Sequence, residues 1–203
     1  MENYAPTNGD VIEEVKKRWS PRSFADKAVE QEKLAQLFAA ARWAASSYNE
    51  QPWRYIVASK HQDKETYEKI FECFNDFNQQ WAGNAPVAAL GFVKNHFGDD
   101  IDQENELAVH DLGAASAQLS LQATNLDLYV HQMAGIEKDV IKETFDVPEG
   151  FVPVTGMVIG YGGDPDELSG DLKDQEMADR TRQPMEDFVW KSWNIPAGFA
   201  EQE

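Results

Sequence analysis

Apolar positions along this chain alternate between helical spacing of three to four residues and strand spacing of two. Val11, Val15 and Trp19 share one stripe and predict a first helix, capped by Asp10 and ended before Pro21. Residues 31–43 repeat the helical pattern with Leu34, Leu37, Phe38 and Ala41, and residues 46–52 break it. Residues 53–58 are aromatic and β-branched, which predicts a strand, and residues 62–74 return to helical spacing through Tyr67, Ile70, Phe71 and Phe74. Further strands are predicted at 87–93, 129–133 and 152–161, with a short helix at 137–145. Residues 104–126 contain no Lys or Arg and are dense in Ala, Leu, Ser and Gln, so they predict a long central helix. Its small residues, Ala108, Gly113, Ala114, Ala115 and Ala117, permit close approach of another backbone, from this chain or a second one. The acidic residues 164–179 read as a solvated loop or arm, whereas 188–199 regain Trp190, Trp193 and Phe199 and are expected to pack against something. This order of elements indicates an α/β or α+β sheet protein in a single domain spanning 1–203.

Composition narrows the partners. The chain has 203 residues, 42% of them hydrophobic, enough for one substantial core. Its 36 acidic against 18 basic residues give a net charge of −18, which argues against nucleic acid and against a membrane surface as partners. The imbalance is concentrated late: residues 1–100 hold 12 basic and 15 acidic residues, residues 101–203 hold 6 and 21. Any arginine cluster in the second half therefore stands out. The single Cys73 excludes a disulfide framework, and no Cys or His spacing fits a structural zinc site, so no metal is expected. Residues 1–9 lack signal-peptide features and no apolar run approaches roughly 20 residues, which makes the cytoplasm the expected location.

Several catalytic sets are excluded by missing neighbours. Gly160, Gly162 and Gly163 do not make a dinucleotide fingerprint, since Pro165 takes the third glycine position. His110 beside Asp111 has no Gly-x-Ser-x-Gly elbow to serve. What remains is Arg18-Trp19-Ser20-Pro21-Arg22, two guanidinium groups and a hydroxyl that either hold a phosphate or sit as solvated surface charges. Arg180-Thr181-Arg182 forms a second pair inside the acidic stretch, either an anion site or charge balance against Asp179 and Glu186. Taken together, the pairs suggest one anion site. Residues 45–53 are dense in uncharged donors and acceptors, suited to a polar heterocycle or to an ordinary connecting loop. Asn78-Gln79-Gln80-Trp81 is a weaker amide cluster.

These segments in this order resemble the FMN-dependent nitroreductase family. The resemblance rests on Arg18-x-Ser20-x-Arg22-x-Phe24, on Ala44-Ala45-Ser46-Ser47-x-Asn49-x-Gln51-Pro52-Trp53, on Asn78 ahead of Trp81 and Ala85-Pro86, on Asp111-x-Gly113-Ala114-Ala115, on Gly135, and on Arg180-x-Arg182-x-Pro184. It implies an α+β fold, a mixed sheet enclosed by helices, and an intertwined homodimer with two FMN sites at its interface. By motif position it assigns Arg18, Ser20, Arg180 and Arg182 to the ribityl phosphate, with Trp19 in the same motif, and Arg22 and Asn78 to the pyrimidine edge. Ser46, Ser47, Asn49 and Gln51 are assigned to the flavin of the other subunit. Backbone groups at Ala134 and Gly135 are assigned to flavin N5 and O4, with Met133 lining the pocket. The implied activity carries hydride from NADH or NADPH through flavin N5 to nitroaromatic, quinone or related small acceptors by a ping-pong mechanism. Arg22 would stabilise charge on the reduced ring. Enoate reduction or dehalogenation on the same scaffold, or flavin binding without catalysis, are the rival readings. Ala45, Trp19 and Asp127 depart from the commoner family residues at those positions.

Overall fold

The strand predicted at 87–93 is buried along nearly its whole length in the computed structural model, which describes residues 3–7, 10–98 and 100–199. It forms β2 (Val87–Lys94), an interior strand of a four-stranded sheet ordered β1 (Trp53–Ser59), β2, β4 (Phe151–Gly160), β3 (Tyr129–Met133). Every pairing is antiparallel, so the mixed sheet implied by the resemblance is corrected to an antiparallel one among the described residues. Two helices, α3 (Lys64–Glu72) and α4 (Asp76–Ala82), separate β1 from β2, which run antiparallel. One long helix, α5 (Ala108–Asn125), joins β2 to β3 and leaves those two strands pointing the same way. They never pair, because β4 lies between them.

Alternation along β2 sends Val87, Ala89 and Val93 to one face and Ala88, Leu90 and Phe92 to the other. On the first face α2 (Gln31–Arg42) and α5 pack Leu37, Leu112 and Leu119, each fully buried and contributing about 1.5–3 kcal/mol. On the second, α3, α4 and the short α6 (Lys138–Thr144) contribute Ile70, Trp81 and Ile141, with Phe74 from the link between α3 and α4. The site described below lies along this second face, where β3 emerges beside α4.

The first helix is shorter than the stripe predicts. α1 spans only Glu13–Lys17, its N-cap is Ile12 without a side-chain bond, and Asp10 does not cap it. Arg18 is already extended at ψ 121°, so Trp19 follows an open chain toward Pro21 and leaves the helical stripe. The acidic segment is also corrected. It contains a 3-10 turn at Pro165–Glu167, followed by the buried Leu168, and α7 (Asp171–Met177), where Leu172 and Glu176, four residues apart, turn one face inward. At the end of the described chain, β5 (Trp190–Ser192) and β6 (Ile195–Pro196) form a hairpin whose Trp190 and Trp193 rings meet at 5.0 Å. Trp193 is nevertheless 82% exposed and Phe188 and Phe199 are exposed as well, so the expected packing is not found within one chain. No helix among the described residues is long and apolar enough to cross a membrane.

Candidate functional site

Residues 18–24 leave α1 as extended chain and run past the C-terminal segment, which brings the two predicted arginine pairs together. Arg18 Nη1 donates to Ser20 Oγ at 3.4 Å. Arg180 donates from Nη1 to the carbonyls of Asn3 (2.6 Å) and Lys16 (2.9 Å), and from Nη2 to that of Arg18 (2.8 Å). It thus straps the open carbonyl end of α1, where a cation is favoured. Arg182 Nη1 bonds the neighbouring Thr181 carbonyl at 2.7 Å. Burial, and then the charge of Arg182, lowers the Arg18 pKa from its ordinary value. Arg180 is lowered by burial and then by Arg18 and Arg182. Among the described residues no arginine has a carboxylate within 4.0 Å, since every ion pair there uses Lys or His. Three guanidinium groups without a counter-ion, in a chain of net charge −18, make a corner that favours a bound anion.

Next to this corner lies a strip of ring and amide groups. The Arg22 guanidinium carbon sits 6.0 Å from the centre of the Trp81 ring, and the His131 ring lies 4.4 Å from the same ring. His131 Nδ1 is 2.8 Å from the Pro21 carbonyl, so that nitrogen carries the hydrogen. Burial drives the His131 pKa down to about 4, with Arg22 pushing the same way, and the ring is neutral at pH 7. Asn75 caps α4 by accepting from the Asn78 amide at 3.0 Å, which turns the Asn78 side chain onto the Gly135 carbonyl at 2.9 Å. Gly135 is required there. A Cβ at that position would fall 2.5 Å from Asn75 Nδ2 and 2.6 Å from Asn78 Nδ2. Ala134 is exposed beside it, whereas Met133 is buried in the core cluster.

Unpartnered donors concentrate here. Among the described residues, Trp19 Nε1, Arg22 Nε, Ser23 Oγ and Trp81 Nε1 are buried without a hydrogen-bond partner, four of the five such side-chain atoms. Leaving each unmade costs about 1–3 kcal/mol, so the strip is arranged for acceptors that the chain itself does not supply.

The polar loop predicted to read a heterocycle stands apart. Ser46 Oγ accepts from the Gln51 amide, Gln51 Nε2 donates to the Asn49 carbonyl, and the Ser47 amide donates to the buried Asp111 carboxylate, each at 3.0 Å. Tyr48, Asn49 and Gln51 all have φ near +50°, a costly run for residues other than glycine. Asp111 lies in the first turn of α5, while α1 touches its far end through Asn125 Nδ2 and Glu14 Oε1 at 3.3 Å. Those two points are about 21 Å apart along the helix axis. None of the loop's hydrogen bonds or ring contacts reaches the other predicted site residues. The structure therefore gathers Arg18, Trp19, Ser20, Arg22, Asn78, Met133, Ala134, Gly135, Arg180 and Arg182 along one strip and leaves Ser46, Ser47, Asn49 and Gln51 remote from it.

Two residues of this strip were not singled out from sequence. His131 carries no motif. Glu176 accepts from the backbone amides of Arg22 (2.8 Å) and Ser23 (3.1 Å), and only its four-residue spacing from Leu168 and Leu172 signals its burial.

Residues 15–161 match the nitroreductase family. The chain belongs to the nitroreductase family. It is an oxidoreductase of that family, and the matched span ends before Glu176, Arg180 and Arg182. The fold is similar to that of a crystallised oxidoreductase containing FMN, at 33% identity and a TM-score of 0.85, covering 94% of this chain and 97% of that one. A nitroreductase family protein of Clostridium difficile 630 is 27% identical with a TM-score of 0.69, over 90% of this chain and 98% of its own. The FMN reductase (NAD(P)H) of Bacillus subtilis strain 168 is 30% identical over 172 residues, 76% of this chain and 67% of that protein.

Proposed function

We propose that this nitroreductase-family enzyme binds FMN, draws on NADH or NADPH, and reduces nitroaromatics, quinones or related small acceptors as a homodimer. The observation that carries the reading is the unpaired arginine corner running directly into a strip of buried, unpartnered donors. A phosphate monoester joined to a flat, acceptor-rich ring fits both halves at once. Bound FMN would supply the two-electron carrier between the nicotinamide and the acceptor.

The chain's own residues divide the work. Arg18, Arg182 and the Ser20 hydroxyl would take the phosphate, and Arg180 fixes the Arg18 backbone from behind. Arg22 and Asn78 would face the pyrimidine edge, with Trp19, Met133, Ala134 and Gly135 along the ring. Arg22 is the residue assigned to catalysis. A preorganised cation beside a poorly hydrated pocket favours negative charge developing on whatever it faces. Neutral His131 adds no second cation to that pocket and keeps the Pro21 carbonyl in place. A single pocket serving nicotinamide and acceptor in turn gives ping-pong kinetics.

Two features support the dimer. Ser46, Ser47, Asn49 and Gln51 lie too far from the arginine corner of their own chain and would complete the site of a second copy. The exposed aromatic hairpin at residues 190–196 and the small residues of α5 are surfaces that such a copy would cover. The visible spectrum of the purified protein tests the cofactor. Bands near roughly 370 and 450 nm that bleach anaerobically with NADH or NADPH are expected. A colourless protein that takes up no added FMN would refute the reading.

A further inference from the structure

Glu176 is 2% exposed, on a helix whose acidic neighbours Asp171 and Asp174 face solvent. Burying a carboxylate costs several kcal/mol unless strong partners replace water. Here the partners are the consecutive amides of Arg22 and Ser23, 2.8 and 3.1 Å away. The carboxylate does not take the Arg22 guanidinium, and no ion pair within 4.0 Å joins them. From the opposite side His131 Nδ1 holds the Pro21 carbonyl at 2.8 Å. Three successive residues are thus gripped by α7 and β3, while Arg22 Nε is left buried and unpartnered beside the Trp81 ring.

We infer that Glu176 is a positioning residue for Arg22: with His131 it clamps the Pro21–Arg22–Ser23 backbone and keeps the guanidinium turned to the flavin ring with its charge unspent. This role rests on the FMN reading above. An anion placed to bind backbone amides stiffens the segment without neutralising the cation it serves. A salt bridge to the side chain would cancel that cation's field at the ring. The clamp acts on the ring end of the site, since the phosphate corner is held separately by Arg180.

The test compares wild type with Glu176→Gln, which keeps the shape but offers one strong acceptor where two amides need one each. Affinities for FMN and for riboflavin, the midpoint potential of the bound flavin, and the melting temperature are measured together. The clamp requires both flavins to weaken by a similar factor, about tenfold. It also requires a potential more negative by roughly 30 mV, equivalent to a tenfold loss of preference for the reduced form. The same substitution in an Arg22→Ala background shifts the potential no further, because the effect passes through Arg22. A variant with lower melting temperature but unchanged affinities and potential makes Glu176 a plain staple for α7 and overturns the role. If Glu176→Gln does not fold, His131→Gln loosens the same backbone from the other side and is held to the same outcomes. Wild-type protein that binds neither flavin overturns the FMN reading and this role with it, whereas flavin-binding wild type with an indifferent variant overturns the role alone.

Discussion

Arg180 and Arg182 look equivalent in sequence, and the structure bonds them differently. Consider Arg180→Met, which keeps length and removes the guanidinium. It deletes three hydrogen bonds to the carbonyls of Asn3, Lys16 and Arg18, of 2.6, 2.9 and 2.8 Å. A bond to a charged group is worth about 1.5–3 kcal/mol, but α1 has no buried residue and its carbonyls regain water once released. The net loss is therefore expected near 2–3 kcal/mol, well below the sum of three full bonds. For a chain of this size that lowers the melting temperature by roughly 4–12 °C. Arg182→Ala, whose only side-chain hydrogen bond among the described residues is to its neighbour Thr181, should change stability by less than about 0.5 kcal/mol. The assay is urea denaturation of both flavin-free variants at one protein concentration. Equal stability of the two variants would refute the division into a strut and a ligand.

Other expectations follow from the same geometry. Gly135→Ala must push Asn75 and Asn78 outward by most of an ångström, so it should cost about 1–3 kcal/mol in denaturation and weaken FMN binding; a neutral substitution would contradict the close approach. The His131 pKa of about 4 lies below its ordinary value of 6.5, so the unfolded chain binds the proton first. The stability from this group is complete above pH 6.5 and is lost as pH falls toward 4, roughly 3 kcal/mol in all. Denaturation at pH 7.5 and 4.5 should show His131→Gln losing less on acidification than wild type, and equal losses would rule out the buried neutral ring. Arg22→Ala should slow reduction of bound flavin by about tenfold to a hundredfold, roughly 1.4–2.7 kcal/mol of barrier, and unchanged single-turnover rates in the fully flavinated variant would reject its catalytic assignment.

Periodicity made most of the fold legible. Residues 129–133 are a strand with the predicted ends, and the buried run at 87–93 and the cation-free helix at 104–126 lie within a few residues of β2 and α5. Strand direction was not legible, because it depends on where β4 inserts between two strands that run the same way. Trp19 misled the first helix, since it sits on the stripe of Val15 although the chain has already opened ahead of Pro21. Acidic composition hid α7, where one leucine, Leu172, and one glutamate, Glu176, carry the whole buried face. Within the site, the arginine motifs and Gly135 could be found by type and spacing. The carbonyls that Arg180 serves lie far off in the chain, as do the amides that Glu176 holds, and no local pattern points to either contact. The distance between the polar loop and the arginine corner is set by the length of α5 and emerges only once both ends are placed.

In the proposed site Arg18 and Arg182 would hold a phosphate, and a pair of fluorescence titrations measures that directly: FMN and riboflavin, against wild type and Arg182→Ala. Wild type should bind FMN far more tightly than riboflavin. Arg182→Ala should narrow that gap by about tenfold to a hundredfold through one lost charged hydrogen bond while leaving riboflavin affinity unchanged. Equal affinities of wild type for the two flavins, or a substitution that weakens both alike, would contradict it.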